Sequence, residues 1–445
     1  MFKMATSVML ILASVFSYAD NDLRGIWKSK GYGYYLDFSH EEVDLYEFTK
    51  LSCLKSGLQT GKVNYSNKYQ TGSFAVTIPG FINADMNIVE TQDLNKKRVH
   101  RTDTNTYFDI ERISELPLLC QRSADTSAQY TNKVFTQNFI EHYLFLDKNK
   151  KTTFEQSLMA EVSKENLFDA LVDKVASFKD PHIALVAASS NQYYFGNEHQ
   201  PKPTANISTD DIQSTVNSLI GNIVLHETLN KQLVYGNLTP EIGYLAIKGF
   251  SNFKAEANTE TEQSIFNNVL NKVFNSFKGN SSLIIDVRNN SGGSDKLALQ
   301  LASRLTNQTY FAYAKQAVES TNNGQIRWTT PNASSVVASE NPGFFGKIVM
   351  LTNRQTISAG ETFVMATMER QPKVTRIGTA TAGHFSDMLP RTLPNGWLFA
   401  LPNERFIDKN GRSYDKSGIP AHTTTYDTEL KDASLLSAIS YLNDN

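Results

Sequence analysis

The sequence is short of several features that mark particular classes of protein. Its 445 residues include only two cysteines, Cys53 and Cys120, too few for a zinc site, and no His-x-x-x-His spacing lies near them. No Gly-Lys-Ser/Thr completes a nucleotide-binding P-loop. The 45 acidic and 43 basic residues nearly balance, so charge gives no reason to expect nucleic acid. We therefore predict no metal, no cofactor and no nucleic-acid partner.

Long apolar runs are also scarce, and the one that stands out is at the N-terminus. Lys3 precedes the nine-residue stretch VMLILASVF at 8–16, which is too short to span a bilayer. The small residues that signal peptidase requires follow at 17-SYA-19. We expect a signal peptide at 1–19 with cleavage near Ala19, and a periplasmic or extracellular protein without a membrane span. A buried first helix is the alternative.

The two cysteines fit the same expectation. In an oxidising compartment Cys53 and Cys120 can form a disulfide, and two free buried thiols are the alternative.

Residues 20–122 have the character of a β-rich accessory domain. Short segments rich in Tyr, Phe, Val and Thr alternate with Gly, Asn, Asp and Ser at roughly ten-residue spacing. This pattern predicts a small antiparallel barrel or sandwich. The opening, 24-RGIWKSKGYGYYLDF-38, loosely resembles that of lipocalin-like barrels.

The pattern then changes twice along the chain. Residues 123–190 place apolar residues three and four apart, which predicts a helical domain. A polar connecting segment follows at 191–239. From 240 to 445 apolar strands alternate with amphipathic helices, which indicates an α/β domain with a mainly parallel sheet. The elements expected are helices at 133–146, 153–178, about 210–230, 258–278, 293–306 and 358–370, and strands at 243–250, 282–287 and 346–352.

Two strand-to-helix turns in the last domain hold residues suited to chemistry. The first, 286-DVRNNSGG-293, ends in Gly292 and Gly293, whose backbone N–H groups can form an anion-binding concavity. That anion can be a phosphate or a developing oxyanion. The alternative is a tight turn that needs positive φ.

The second turn, 353-NRQTISAGE-361, places Ser358 at the start of a helix. In logic it resembles a nucleophile elbow, with the Ala359 N–H beside the hydroxyl, although Gly-x-Ser-x-Gly is absent. Glu361 stands three residues later, so a capping box is the alternative. Loops at the carboxyl ends of neighbouring parallel strands share one crevice. A nucleophile and an oxyanion hole would then lie together, which is the minimum for acyl transfer.

Four motifs together resemble the C-terminal-processing and tricorn-type serine peptidases. They are 283-LIIDVRNNSGG-293, 347-KIVMLTNRQTISAGE-361, 378-GTATAGHFS-386 and 411-GRSYDKSGIPAH-422. The resemblance implies a ClpP/crotonase-like catalytic domain with Ser358 as nucleophile. It also implies oxyanion donors from Gly292 or Gly293 and from Ala359. No PDZ domain, which is common in that family, is evident here.

The resemblance leaves two histidines as candidate bases. The tricorn-like branch takes its histidine from an Asp-x-His motif, matched here by 180-DPH-182, with an acidic residue that orients it. These positions are His182 and Asp415. The other branch uses a lysine where this chain has His384, which either replaces that base or lines the cleft.

The complete interpretation is an exported serine peptidase of peptide or protein substrates that acts through an acyl-enzyme. Histidine titrates nearest to neutral pH and can activate a serine hydroxyl. Two alternatives remain: a peptidase-like protein that only binds a ligand, and an esterase-type hydrolase that uses the same site. The sequence does not indicate the substrate or the oligomeric state.

Overall fold

The computed structural model describes residues 22–444 except 79–81, 103, 197–208, 222, 254–260, 323–324 and 429–430. The expected signal peptide at 1–19 lies outside the described residues. Within them, no helix combines the length and the apolar character needed to cross a membrane.

The N-terminal region is an antiparallel sheet whose ten strands all lie between residues 26 and 113. They are β1 Ile26–Ser29, β2 Tyr34–Asp37, β3 Asp44–Phe48, β4 Cys53–Lys55, β5 Gln59–Thr60, β6 Asn64–Ser66, β7 Thr71–Ile78, β8 Ile82–Glu90, β9 Lys96–Arg101 and β10 Thr106–Ile113. Alternate residues of β3 and β10 are buried, as a sheet with one covered face requires. The strand order is β4-β3-β2-β1-β10-β9-β8-β7-β5, with β6 beside β7.

The prediction of an antiparallel β region is confirmed, but the sheet is not shown to close as a lipocalin-like barrel. Its outer strands, β4 and β5, are not paired with each other in the part of the chain that the structure describes. A disulfide joins Cys53 to Cys120, as expected, and so ties strand β4 to the segment after β10.

Three helices follow: α1 Ala128–His142, α2 Lys148–Ser157 and α3 Leu167–Ala176. The helical stretch expected over 153–178, with a second N-terminus near Ser163 and Asn166, is divided in the structure, because α2 ends at Ser157 and α3 begins at Leu167. Between them, the Ser163 N–H and Oγ donate to Asn166 Oδ1. Such local side-chain bonds compete with helical ones, so they interrupt a helix that apolar periodicity alone would continue.

The segment at 184–237 holds more strand than predicted. It contains β11 Ala184–Ala187, β12 Gln192–Phe195, α4 Thr209–Ile220, β13 His226–Thr228 and β14 Leu233–Asn237. The helix expected at about 210–230 therefore ends ten residues early, and β13 and β14 form an antiparallel hairpin instead.

The C-terminal region begins with the predicted alternation of strands and helices, and it holds further strands at 310–336 and 388–407 that were not predicted. Its elements are β15 Ile242–Ile247, α5 Glu262–Ser276, β16 Ser282–Asp286, α6 Asp295–Ser303, β17 Tyr310–Asn322, β18 Gln325–Trp328, β19 Asn332–Val336, β20 Lys347–Thr352, α7 Ala359–Ala366, β21 Thr375–Gly378, β22 Met388–Thr392, β23 Leu398–Pro402, β24 Glu404–Ile407, β25 Thr423–Thr424 and α8 Ala433–Asp444. The chain is thus a multidomain α/β protein.

The main sheet of this region has the order β13-β14-β15-β16-β20-β21-β25 and is parallel from β15 onwards. Every residue of β15 and β16 is buried, as is usual when helices cover both faces of a parallel sheet. Leu283 and Ile285 pack on the face that α5, α6 and α7 cover, whereas Ile284 packs on the face of α4 and α8.

A smaller sheet, in the order β12-β11-β23-β22, connects the C-terminal region to the N-terminal half. Strand β11 starts two residues after His182 and β22 starts four residues after His384. Leu185 of β11 pairs with Phe399 of β23, whose ring lies 5.0 Å from that of Phe135 in α1. This sheet therefore brings the two histidine segments, which are distant in sequence, to one place.

Candidate active site

The two strand-to-helix turns lie side by side, as the sequence predicts. Strands β16 and β20 are parallel neighbours, with Asp286 opposite Leu351. Beyond their ends, the Ile357 N–H donates to Asn290 O at 3.0 Å. The glycine turn and the serine turn therefore form one edge of a crevice at the carboxyl end of the sheet.

Ser358 occupies a strained backbone conformation. Its φ of 55° and ψ of −123° fall where residues with side chains are rare. The Ser358 N–H donates to His384 O at 3.0 Å, and the Ser358 carbonyl accepts from the Glu361 and Thr362 N–H groups. The Ser358 side chain makes no capping bond to the helix. The capping-box interpretation is therefore wrong, and the hydroxyl is left at the partly exposed start of α7.

The glycines are required by close packing against Ser358 and Phe250. A Cβ added to Gly292, whose φ is 86°, would lie 2.7 Å from Ser358 Cβ and 3.2 Å from the Ala359 nitrogen. A Cβ added to Gly293, whose φ is 126°, would lie 2.4 Å from Phe250 O. No larger residue fits either position without backbone movement.

The backbone donors at this edge differ in how they are used. The Gly292 N–H donates to Asn290 Oδ1 at 2.9 Å. Among the described residues, the Gly293 and Ala359 N–H groups donate to no acceptor. Of the three predicted oxyanion donors, Gly293 and Ala359 are thus available, whereas Gly292 serves the turn itself.

Asn290 holds the turns together, and sequence reasoning gave it no role. The residue is fully buried. Its Nδ2 donates to Ile247 O at 2.9 Å, its Oδ1 accepts from Gly292, and its carbonyl accepts from Ile357. No spacing rule identifies an asparagine whose three partners come from three separate segments.

The two candidate histidines lie near each other. Their ring centroids are 6.4 Å apart. Asp180 contacts both histidine segments. Its Oδ1 accepts the His182 N–H at 3.0 Å and lies 3.8 Å from His384 Nδ1. Its Oδ2 accepts a hydrogen bond from Tyr143 Oη at 3.0 Å. Within the described residues, His384 Nδ1 is buried without a hydrogen-bond partner, and no hydrogen bond joins Ser358 Oγ to either ring.

Burial sets the protonation state of both histidines. Desolvation lowers the pKa of His182 below its ordinary value, against the opposing charges of Asp180, Asp387 and Asp295. Burial also lowers the pKa of His384, and neighbouring His182 lowers it further. Both rings are therefore neutral at pH 7 and able to accept a proton.

Asp415 lies close to this cluster but is not bonded as expected. Its Oδ2 accepts from Ser413 Oγ at 2.6 Å. Its Oδ1 is buried, and among the described residues it has no hydrogen-bond partner, so the expected bond to His182 is not formed here. Burial, with a contribution from Asp180, raises the pKa of Asp415 to about 7.

Glu361 does not cap its own helix, which is the role that its spacing suggested. It is fully buried, and its carboxylate accepts from Thr381 Oγ1, the Gly383 N–H and the His384 N–H at 2.6, 2.6 and 2.7 Å. Burial raises its pKa to about 7 although these donors oppose the shift. The helix that starts after Ser358 therefore anchors the loop that carries His384.

No group of three or more possible metal ligands occurs among the residues that the structure describes. What the crevice brings together is a strained serine, two neutral imidazoles and two backbone amides. These are the parts that nucleophilic acyl transfer requires.

Residues 241–425 match the model of peptidase family S41. This region is a peptidase family S41 domain. S41 domains are of the serine-peptidase type, and the matched residues hold Ser358, both glycines, His384 and Asp415. His182 lies before them, in the segment that the small sheet joins to the S41 domain.

Solved structures share the fold of the S41 domain together with preceding elements. The crystal structure of a candidate peptidase from Parabacteroides merdae is 22% identical over 72% of this chain and 97% of its own, with a TM-score of 0.56. Mature CPAF complexed with lactacystin is 12% identical over 72% and 97%, with a TM-score of 0.50. No curated protein matches the chain by sequence.

Proposed function

We propose that the chain is a serine peptidase that hydrolyses peptide bonds through an acyl-enzyme formed on Ser358. The observation that carries the proposal is the packing of the two turns. Ser358 is held at positive φ against Gly292, and the unused amides of Gly293 and Ala359 lie at the same edge. A strained, uncapped serine beside two unpaired donors has no stabilising role that would explain it.

In the proposed reaction, Ser358 Oγ attacks the scissile carbonyl carbon as its proton passes to a histidine. The negative charge that develops on the carbonyl oxygen accepts hydrogen bonds from the Gly293 and Ala359 N–H groups. The tetrahedral intermediate collapses, the histidine gives its proton to the departing amine, and an ester on Ser358 remains. Water, deprotonated by the same histidine, then releases the acid product.

We assign the base to His182, with His384 as the competing residue in the same crevice. The lowered pKa of His182 keeps it neutral, and the carboxylates of Asp180, Asp387 and Asp295 stabilise its protonated form during the reaction. Asp415 provides a further buried carboxyl close to Asp180. In this proposal the orienting bond from Asp415 forms only with substrate bound, since catalytic bonds often tighten then.

Replacement of Ser358 tests the proposal. Ser358→Ala should lower kcat for peptide cleavage by about 10³-fold or more, because only binding and the oxyanion donors remain. Ser358→Gly should be equally inactive but more stable, by roughly 1 kcal/mol, since glycine relieves the positive φ. Peptide cleavage by either variant at the wild-type rate would refute the proposal. An ester panel run beside the peptides separates a peptidase from an esterase.

A further inference from the structure

The inner face of the N-terminal sheet lines a partly open cavity of about 60 Å³, and strand β22 of the C-terminal region forms part of its other wall. Most of its wall is apolar, with Leu36, Leu58 and Val76 among the side chains that line it. Its polar and charged lining residues come from the sheet and from the segments where β22 and β24 begin, and they are Arg101, Thr106, Asp387, Asn403 and Glu404. The cavity is therefore amphipathic and lies at the junction of the two halves of the chain.

The polar part of this cavity holds an incompletely satisfied carboxyl. Glu404 is 1% exposed, and its Oε1 accepts from Tyr32 Oη and, more distantly, from Thr106 Oγ1. Within the described residues its buried Oε2 has no hydrogen-bond partner. A buried carboxyl oxygen without a donor is costly, so this atom is the natural contact for a donor supplied by an occupant.

The carboxylates around Glu404 outnumber the cations, since Asp295, Asp387 and Glu404 lie beside only Lys315 and Arg101 among the described residues. Lys315 Nζ is already bound to Asp295 Oδ2 at 2.8 Å and to Asp387 Oδ2 at 2.9 Å. One buried ammonium therefore serves two carboxylates before Glu404 is counted, while Arg101 acts on Asp387. Burial raises the pKa of Glu404 to about 7, with Asp387 and Asp295 adding to the shift and Lys315 opposing it.

The size of the cavity limits what can enter it. One water needs about 10–15 Å³ of such space, so roughly four to six water-sized atoms fit. An aliphatic chain of four carbons with one terminal nitrogen has that size. Its methylene groups would contact the apolar wall, and its nitrogen would supply both the missing donor and the missing positive charge.

We propose that this cavity is a binding site for a butylammonium group, with the nitrogen on Glu404 Oε2 and the chain against Leu36, Leu58 and Val76. This chemistry has two sources, the side chain of a lysine in a peptide and a free aliphatic amine. The site is separate from Ser358. It nevertheless reaches helix α7, because Thr362 Oγ1 donates to Asp295 Oδ1 at 2.7 Å.

The test is calorimetric titration of the whole mature chain with n-butylammonium, 1-butanol and pentanoate. We expect one site for butylammonium, binding of butanol at least tenfold weaker, and no binding of pentanoate. Equal binding of the alcohol, preference for the carboxylate, or no binding of butylammonium would overturn the proposal. Ser358→Ala protein should bind identically, so the result does not depend on the proposed peptidase activity.

Two variants and a control locate the site. Glu404→Gln keeps the shape and removes the charge, and should weaken butylammonium binding at least tenfold. Leu58→Trp fills the cavity and should abolish binding even if Glu404→Gln folds poorly. Glu111→Gln, at an exposed position of the same sheet, should change nothing. Unchanged binding by Leu58→Trp would contradict the assignment. Competition by Nα-acetyl-lysine amide identifies a peptide side chain as the source, and its absence identifies a free amine.

Discussion

The turn after strand β16 has paired polar groups at one end and an unpaired backbone amide at the other. On one side, Arg288 is 4% exposed and binds Asp286, Asp432 and Asp427 at 2.6, 2.7 and 3.0 Å. On the other side, five residues along, the Gly293 amide donates to no acceptor among the described residues. The same turn thus contains a saturated ion cluster and an unsaturated edge.

This difference separates structure from function in physical terms. Buried polar groups are normally paired, because an unpaired one costs free energy. The Arg288 cluster follows that rule and holds the C-terminal segment to the sheet. In the crevice, by contrast, several buried polar atoms have no hydrogen-bond partner among the described residues, including His384 Nδ1 and Asp415 Oδ1. Groups left unpaired together in one crevice are the ones that a substrate would complete.

The largest expected effect concerns the crevice with the unpaired polar groups, and it tests which histidine is the base. His182→Gln should lower kcat by about 10³–10⁴-fold with little change in KM, since it removes the proton acceptor. His384→Gln, the matched control, should lower kcat by no more than about tenfold. Steady-state kinetics on one peptide compares the two. A reversed order would assign the base to His384.

On the saturated side the effect should appear in stability. Arg288→Met leaves buried carboxylates without their counter-ion and should cost about 3–5 kcal/mol in the free energy of unfolding, measured in urea. Asp427→Asn removes a more exposed partner and should cost clearly less. If Arg288→Met is as stable as the wild type, the Arg288 cluster does not stabilise the fold, and the contrast between this cluster and the crevice is refuted.

Glu361 connects the two halves of the crevice, and its loss should have an intermediate effect. Glu361→Ala removes the acceptor for Thr381 and for the Gly383 and His384 amides, so kcat should fall by about 10–100-fold as the loop loosens. Thr381→Val removes one donor of the three and should have a smaller effect. Equal losses in the two variants would show that the carboxylate does not act as the anchor.

The smallest effect concerns pH. Asp415 has a folded-state pKa of about 7, above its ordinary value of about 4. The folded protein therefore binds the proton more tightly than the unfolded chain, and Asp415 destabilises the fold increasingly as pH rises from about 4 to 7. The stability of Asp415→Asn relative to wild type should rise by about 1.4 kcal/mol per pH unit up to pH 7, which is on the order of 2–3 kcal/mol between pH 5 and pH 8. Urea unfolding at pH 5 and pH 8 measures it, and a flat difference would contradict the shift.

Much of the architecture and of the site could be predicted because it depends on local patterns. The apolar runs of β16 and β20, the helices after them and the glycine pair are readable from neighbouring residues. What could not be predicted depends on contacts between distant segments. Asn290 joins three segments, and Glu361 bonds across about twenty residues to the His384 loop instead of capping its own helix.

The central claim is that Ser358 is the nucleophile of this crevice, and labelling tests it most directly. The chain is incubated with a serine-directed phosphonate, and the adduct is located by intact mass and peptide mapping. One adduct on Ser358 is the predicted result, with none in Ser358→Ala and a slower reaction in His182→Gln than in His384→Gln. An unmodified Ser358 under conditions that label a known serine peptidase, or an equal adduct in Ser358→Ala, would contradict the account.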